Sequence, residues 1–537
     1  MSPPRGAKPS IAERGSAEPP QARRCPLNGG RSVVGPSAGR RTGRPSGSQA
    51  ASSAGMEKSA GRRAERRSHT AAGGALIFII WVIITGVIFL DRREELALLR
   101  RELKRQGFGL LIIYGRRRVG KTALVLKATE DMRRLYYLAV ERGNLPRLKR
   151  AAAALDPQAR YVEEDWEALF AFLARRVDVV VIDEFPNLIA EDRAVLSTLQ
   201  AIVDQMLGGT NMKLVLVGSS VSVMTSRVLS YRSPLYGRKT LAMHVKPVPF
   251  LEYRRFFPER PAEELVEIHG FAGGIPHYML KIGRPFWQFL DAELREKTFI
   301  LDEGDFLLRY EFEDVSTYRL ILEAVAAGRG TLGEIRDYAR LKATDVTPYL
   351  RNLARAGLIE KTRPVLGRGR YRYRIADRFL NFWFRFISPN RSAIEEGLYT
   401  AEDVRREYPQ YLGPVFEDVA REVIVEEMRA GRLPRAARLG PQWWTGKSGP
   451  QEIDLLALGR GVAVAVEVKW SDGVDPEEVA ESLAAKVAQL GLETKTIYVV
   501  VAKSFAKKVD KLRGGPLKTY DLAYIDRLMK ARAQTAA

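Results

Sequence analysis

The chain has 537 residues, 46% of them hydrophobic and 28% charged, with a net charge of +22. At roughly 100–200 residues per domain this leaves room for three or four domains with ordinary cores, and it excludes fibrous, wholly unfolded and multi-span membrane classes. The basic excess points to polyanionic partners, nucleic acid or an anionic membrane surface. The one cysteine, Cys25, excludes an intramolecular disulfide and a cysteine-built zinc site.

Residues 1–70 are rich in Pro, Gly, Ser, Ala and Arg, with almost no aliphatic periodicity, so a disordered basic tail is expected there. Met56 within it is a candidate alternative start. Residues 71–90 carry no charge, and 75–90 are strongly apolar. That run is just long enough to cross a bilayer, which takes about 20 residues, but basic clusters on both sides give no orientation. The favoured expectation is a cytoplasmic protein. A single-pass anchor through 75–90 is the alternative.

Gly107 to Tyr114 reads as a buried strand. It runs straight into Gly115-Arg-Arg-Arg-Val119-Gly120-Lys121-Thr122 and then a helical segment. This is the G-x-x-x-x-G-K-[ST] phosphate-binding loop in its strand–loop–helix setting. Gly115 and Gly120 let backbone N–H groups, including that of Val119, turn toward phosphate oxygens, and the helix N-terminus adds a positive dipole end. Lys121 places a cation on the β- and γ-phosphates of ATP, and the Thr122 hydroxyl takes a Mg²⁺ position. A second strand, Val179 to Ile182, ends in Asp183-Glu184. Asp183 is the candidate Mg²⁺ carboxylate and Glu184 the candidate base that polarises water. A third strand, Lys213 to Val217, leads to Ser219, a candidate γ-phosphate sensor. Arg238 is a candidate arginine finger or else a solvated charge, and a homo-oligomer is a candidate assembly.

Together with Phe89-Leu-Asp-Arg-Arg-Glu-Glu-Leu96, the loop, Asp183-Glu184-Phe-Pro186, Gly218-Ser-Ser220, Ser233-Pro-Leu-Tyr-Gly-Arg238 and Gly273-Gly-Ile-Pro276 resemble, in order, the archaeal ATPase family. That family is a branch of the AAA+/STAND P-loop ATPases. The resemblance implies an ASCE-type parallel sheet over 91–245 and a helical lid over 246–315.

Residues 316–385 read as a winged helix-turn-helix. Tyr318 to Ala326 has helical apolar spacing, and Thr331 with Glu334 forms a capping box. Thr344 to Ala356 is a third helix with Val346, Tyr349, Leu350 and Leu353 inward. A hairpin follows. Arg351, Arg355, Arg368, Arg370, Arg372 and Arg374 are candidate DNA-phosphate contacts. The aromatic stripe from Phe379 to Phe386 reads as core between domains. Residues 386–410 read as a linker.

Residues 411–530 show a helix containing Glu417, a strand carrying Glu452 and Asp454, and a strand carrying Glu467 and Lys469. Another helix and strand follow. This order resembles the PD-(D/E)xK nuclease core, an α/β restriction-endonuclease-like domain. Strand alternation puts Glu467 and Lys469 on one face. Asp454, Glu467 and Glu417 are candidate Mg²⁺ ligands, and Lys469 would orient the attacking water. The whole chain is therefore expected to be an α/β, ATP-hydrolysing, DNA-binding protein whose last domain cuts or grips DNA. The competing expectation is a STAND-type switch whose last two domains only bind partners.

Overall fold

In the computed structural model residues 92–535 are described, apart from 368, 447–448, 510 and 513–514. The basic tail, the alternative start and the apolar run of 71–90 lie outside the described residues, as does Arg368. Among the described residues no helix is long and apolar enough to cross a membrane.

After helix α1 (Arg93–Leu103), aliphatic runs form β1 (Gly109–Tyr114), β2 (Arg134–Leu138), β3 (Val179–Asp183), β4 (Lys213–Gly218) and β5 (Leu241–His244). They make one sheet in the order β2-β3-β4-β1-β5, with every pairing parallel. This is an α/β P-loop sheet, with β4 inserted between β1 and β3. Strands β1, β3 and β4 are buried along almost their whole length, as parallel strands covered on both faces must be. Because all five run the same way, Tyr114, Asp183 and Gly218 end along one edge of the sheet, where ligands of such sheets bind. Helix α2 (Lys121–Ala128) begins at that edge.

A helical region follows, with α3 (Ala262–Ala272), α4 (Phe286–Arg295) and α5 (Phe299–Glu311). Next come α6 (Ser316–Ala326), α7 (Leu332–Ala339) and α8 (Ala343–Arg355), with an antiparallel hairpin of β6 (Ile359–Thr362) and β7 (Arg372–Ile375). Thr331 and Glu334 form the expected capping box. Val346, Leu350 and Leu353 are buried, while Tyr349 is only partly so. The aromatic stripe is core. Phe379 and Phe382 meet Phe271 edge-on at 5.5 and 5.1 Å between ring centroids, and Trp383 and Phe386 are almost fully buried.

Residues 386–410 are not a bare connection. Helix α9 (Ala401–Arg429) already occupies the last ten of them. Pro409 and Pro414 sit inside this helix and read as breakers in the sequence. Burial of Val404, Tyr408, Leu412 and Val415 on one face outweighs them. Beyond it a second, mixed sheet contains β8 (Arg438–Gly446), β9 (Gly449–Leu458), β10 (Val462–Lys469), β11 (Lys495–Ala502), β12 (Lys511–Leu512) and β13 (Gly515–Tyr520). Its order is β12-β13-β11-β10-β9-β8. Helices α10 (Pro476–Ala488) and α11 (Leu522–Thr535) complete it. The largest buried cluster runs from Leu99 to Met529, so the P-loop and C-terminal regions share one continuous core.

Beside that shared core sits a half-buried acid. Glu422 on α9 accepts the Leu251 backbone N–H at 3.2 Å, and burial pushes its pKa up to about 7 from an ordinary 4.5. The fold thus favours the protonated form. This stabilisation is complete below about pH 4.5 and is lost as pH rises through about 7. Glu422→Gln, neutral at every pH, should flatten the fall in melting temperature across that window, an effect on the order of 2 kcal/mol at neutral pH. Thermal melts of both proteins against pH check it.

Candidate functional site

The phosphate loop turns at the end of β1 because its glycines allow it. Gly120 has φ 93°, and a Cβ on Gly115 would lie 2.3 Å from the Val245 carbonyl oxygen. Lys121, 4% exposed, donates from Nζ to the Arg116 carbonyl at 2.9 Å. Burial lowers its pKa to about 8, against the opposing pull of Glu184 and Asp183. The three loop arginines fan outward. Arg116 pairs with Asp377, and Arg118 pairs with Glu303 on α5. Arg117 lies 4.3 Å above the Tyr310 ring.

Asp183 and Glu184 meet the loop from β3. Asp183 Oδ2 accepts from Thr122 Oγ1 at 2.6 Å and from the Tyr136 hydroxyl at 3.0 Å, and its Oδ1 accepts the Glu184 N–H at 2.8 Å. Burial raises the Asp183 pKa. Ser219, just past β4, donates to Glu184 Oε1 at 2.8 Å. Gly115, Val119, Gly120, Lys121, Thr122, Asp183, Glu184 and Ser219 are thus gathered at one sheet edge. The residues fit a magnesium triphosphate. The buried ammonium of Lys121 forms no ion pair among the described residues, and Thr122 and Asp183 already touch where a shared cation belongs.

Arg238 is not brought to this site. It precedes β5, which runs parallel to β1, so it lies at the opposite edge of the sheet from Asp183. There it forms a two-pronged pair with Asp204, 2.6 Å for each bond. An arginine finger in its own chain is excluded by this placement.

In the C-terminal sheet Asp454 on β9 takes the Val468 N–H at 2.7 Å, beside Glu467 on β10. Burial, and then the Glu467 charge, push Asp454 up to about 6. Burial, and then the charges of Asp454 and Glu452, push Glu417 on α9 up to about 7. Lys469 reaches Glu467 at 3.0 Å, and Lys486 on α10 reaches it at 2.8 Å. Glu417, Asp454, Glu467 and Lys469 therefore share a neighbourhood, as the strand alternation implied. Among the described residues, however, no group of three or more acidic, His or Cys side chains is set to hold a metal ion. The two lysines already engage Glu467.

The mouth of this neighbourhood is a cleft of about 610 Å³ shared with the hairpin. Arg372 pairs with Glu452 at 2.8 Å and stacks 4.4 Å from the Trp443 ring, while Arg374 pairs with Asp418 at 2.8 Å. These two arginines face carboxylates in this structure while their side chains stay about two-fifths exposed at the rim of the cleft, 41% and 44%.

Several residues at these sites gave no sequence signal. Tyr136, Tyr310 and Lys486 arrive from distant elements. Arg92 could have been found through its lead-in motif. Its Nη2 donates to the Val119 and Lys246 carbonyls at 2.7 Å each, tying the loop to the segment after β5.

Comparison with known proteins places these observations. Residues 89–282 match a family profile described as an ATPase domain predominantly from Archaea. Residues 383–483 match one described as archaeal and bacterial proteins of unknown function. An uncharacterized protein of Methanocaldococcus jannaschii is 45% identical over 444 residues, covering 81% of this chain and 99% of that protein. An uncharacterized ATP-binding protein of the same organism is 49% identical over 45 residues, 8% of this chain and 76% of that protein. Among solved structures, a Walker-type ATPase of Pyrococcus abyssi aligns with TM-score 0.44 and 22% identity, over 55% of this chain and 96% of that one. The ORC2 protein of Aeropyrum pernix aligns with TM-score 0.40 and 18% identity, over 57% of this chain and 94% of that one.

Proposed function

The chain belongs to a family of archaeal-type ATPases that join an ATPase domain to a domain of unknown function, and from that membership we propose that it binds and hydrolyses MgATP and couples this to DNA. The observation that carries the reading is the meeting of Lys121, Thr122, Asp183 and Glu184 at one sheet edge. Lys121 and the loop N–H groups hold the triphosphate, and Thr122 with Asp183 hold Mg²⁺, which supplies charge neutralisation when bound. Glu184 orients the attacking water and takes its proton. Ser219 fixes the Glu184 carboxylate. Arg238, away from its own site, would have to leave its pair with Asp204 to serve a neighbouring copy of the chain. Steady-state phosphate release with and without Glu184→Gln tests the assignment.

DNA is the partner this reading favours. The α6–α8 module with its hairpin has the winged helix-turn-helix plan, and Arg351 and Arg355 are exposed on α8. Arg351→Ala and Arg355→Ala should each weaken duplex binding about fivefold. Each should also lower the slope of log affinity against log salt by about one. Fluorescence anisotropy across a salt series measures both. The Asp454 neighbourhood has the donor chemistry of a metal-dependent phosphodiester site. Its carboxylates are raised in pKa by burial and by one another, and a divalent cation would relieve both effects.

The second reading is a switch with slow turnover. One observation favours it: both oxygens of Glu184 already carry hydrogen bonds from protein hydroxyls.

A further inference from the structure

The second of those hydroxyls belongs to Tyr310, in the last turn of α5 and outside the P-loop sheet. Its OH donates to Glu184 Oε2 at 2.8 Å, while Ser219 holds Oε1 at 2.8 Å. A carboxylate that is to orient water and accept its proton needs an oxygen directed at that water. Glu184 is held besides in a left-handed backbone conformation, φ 51°, which a non-glycine residue keeps only when its surroundings impose it.

Tyr310 is itself clamped. Arg117 of the phosphate loop lies 4.3 Å over its ring and 4.9 Å from that of Phe306, one turn earlier on α5. The next residue, Glu311, accepts from Ser220 beyond β4 at 3.2 Å. The residue after that, Phe312, stacks on Tyr318 of α6 with centroids 3.7 Å apart and planes 15° apart. Tyr318 in turn accepts from Asn352 on α8 at 2.9 Å. A continuous series of contacts thus runs from the helix that carries Arg351 and Arg355 to the hydrolytic carboxylate.

We propose that Tyr310 is a positioning residue that restrains Glu184, and that displacement of the α6–α8 module by its nucleic-acid partner withdraws Tyr310 and releases Glu184 for hydrolysis. This rests on the assignment of Glu184 as the base. It adds a regulatory contact supplied by the helical region and read out at α8.

Tyr310→Phe keeps the ring and its stack with Arg117 and removes only the hydroxyl. The full chain carrying Y310F should show kcat for ATP raised about tenfold, the scale of one hydrogen bond to a charged group, with KM unchanged. Added duplex DNA should stimulate it less than the wild type. Glu184→Gln should abolish turnover in both backgrounds. Y310F turnover at or below the wild-type level, with Glu184→Gln still inactive, overturns the restraint and leaves the base assignment standing. Unchanged turnover in Glu184→Gln alone overturns the base assignment and the restraint with it.

Discussion

Replacing Lys121 by alanine is expected to remove ATP binding and turnover together, with affinity falling on the order of 100-fold or more. The ammonium is 4% exposed and sits where the β- and γ-phosphates belong, so no solvent cation takes its place. A truncated partner in a buried charge pair costs about 2–5 kcal/mol, and at about 1.4 kcal/mol per tenfold this reaches the stated loss. Lys121 begins α2, where alanine is a good helix former, so the fold should survive. Calorimetric titration with a non-hydrolysable ATP analogue, beside a far-ultraviolet dichroism spectrum, separates lost binding from lost structure. Binding within threefold of wild type would remove Lys121 from the nucleotide site.

Asp454→Ala should abolish metal-dependent DNA cleavage, a loss on the order of a thousandfold, while ATP turnover stays at the wild-type rate. Asp454 stands between Glu417 and Glu467 in the electrostatics of the pocket, since its charge raises the first and is itself raised by the second. Removing it takes away the carboxylate that couples the other two. With Asp454 pushed up to about 6 and Glu417 to about 7, cleavage by the wild type should increase as pH passes through those values and the carboxylates become free to ligate. An agarose-gel assay on supercoiled and linear DNA, with Mg²⁺ or Mn²⁺ and with or without ATP, reads this directly. Cleavage that survives in the Asp454→Ala protein would assign it elsewhere. No cleavage by either protein would make the C-terminal region a binding module.

The sequence exposes those parts of the sites that are local. The phosphate loop needs its glycines, lysine and threonine within eight consecutive positions, and β3 delivers Asp183 and Glu184 from a run of buried β-branched residues. Glu467 and Lys469 are readable for the same reason, because strand alternation fixes their common face. Contacts made over long sequence distance are not readable. Tyr310 meets Glu184 across 126 positions, and Lys486 reaches Glu467 from a helix where a lysine looks like any solvated charge. Arg238 is a matter of placement too: its position after the core strands suggests a catalytic cation, and only the parallel pairing of β5 with β1 reveals that it lies away from the phosphate loop of its own chain. The acidic partners of the hairpin arginines are not readable either: Arg372 meets Glu452 and Arg374 meets Asp418 from distant elements.

That packing also bears on how DNA would be engaged. The hairpin closes over the same cleft that contains Asp454, and the Val365 N–H is bonded to the Pro441 carbonyl of β8 at 3.1 Å.

The central claim is hydrolysis of MgATP at the edge formed by Lys121, Thr122, Asp183 and Glu184. Phosphate release by the purified full chain, measured with Mg²⁺ and with EDTA for wild type and Glu184→Gln, tests it most directly. The expected release needs Mg²⁺, rises with added duplex DNA, and is absent from Glu184→Gln although that protein still binds ATP. Equal release by both proteins, or release that persists in EDTA, would contradict it.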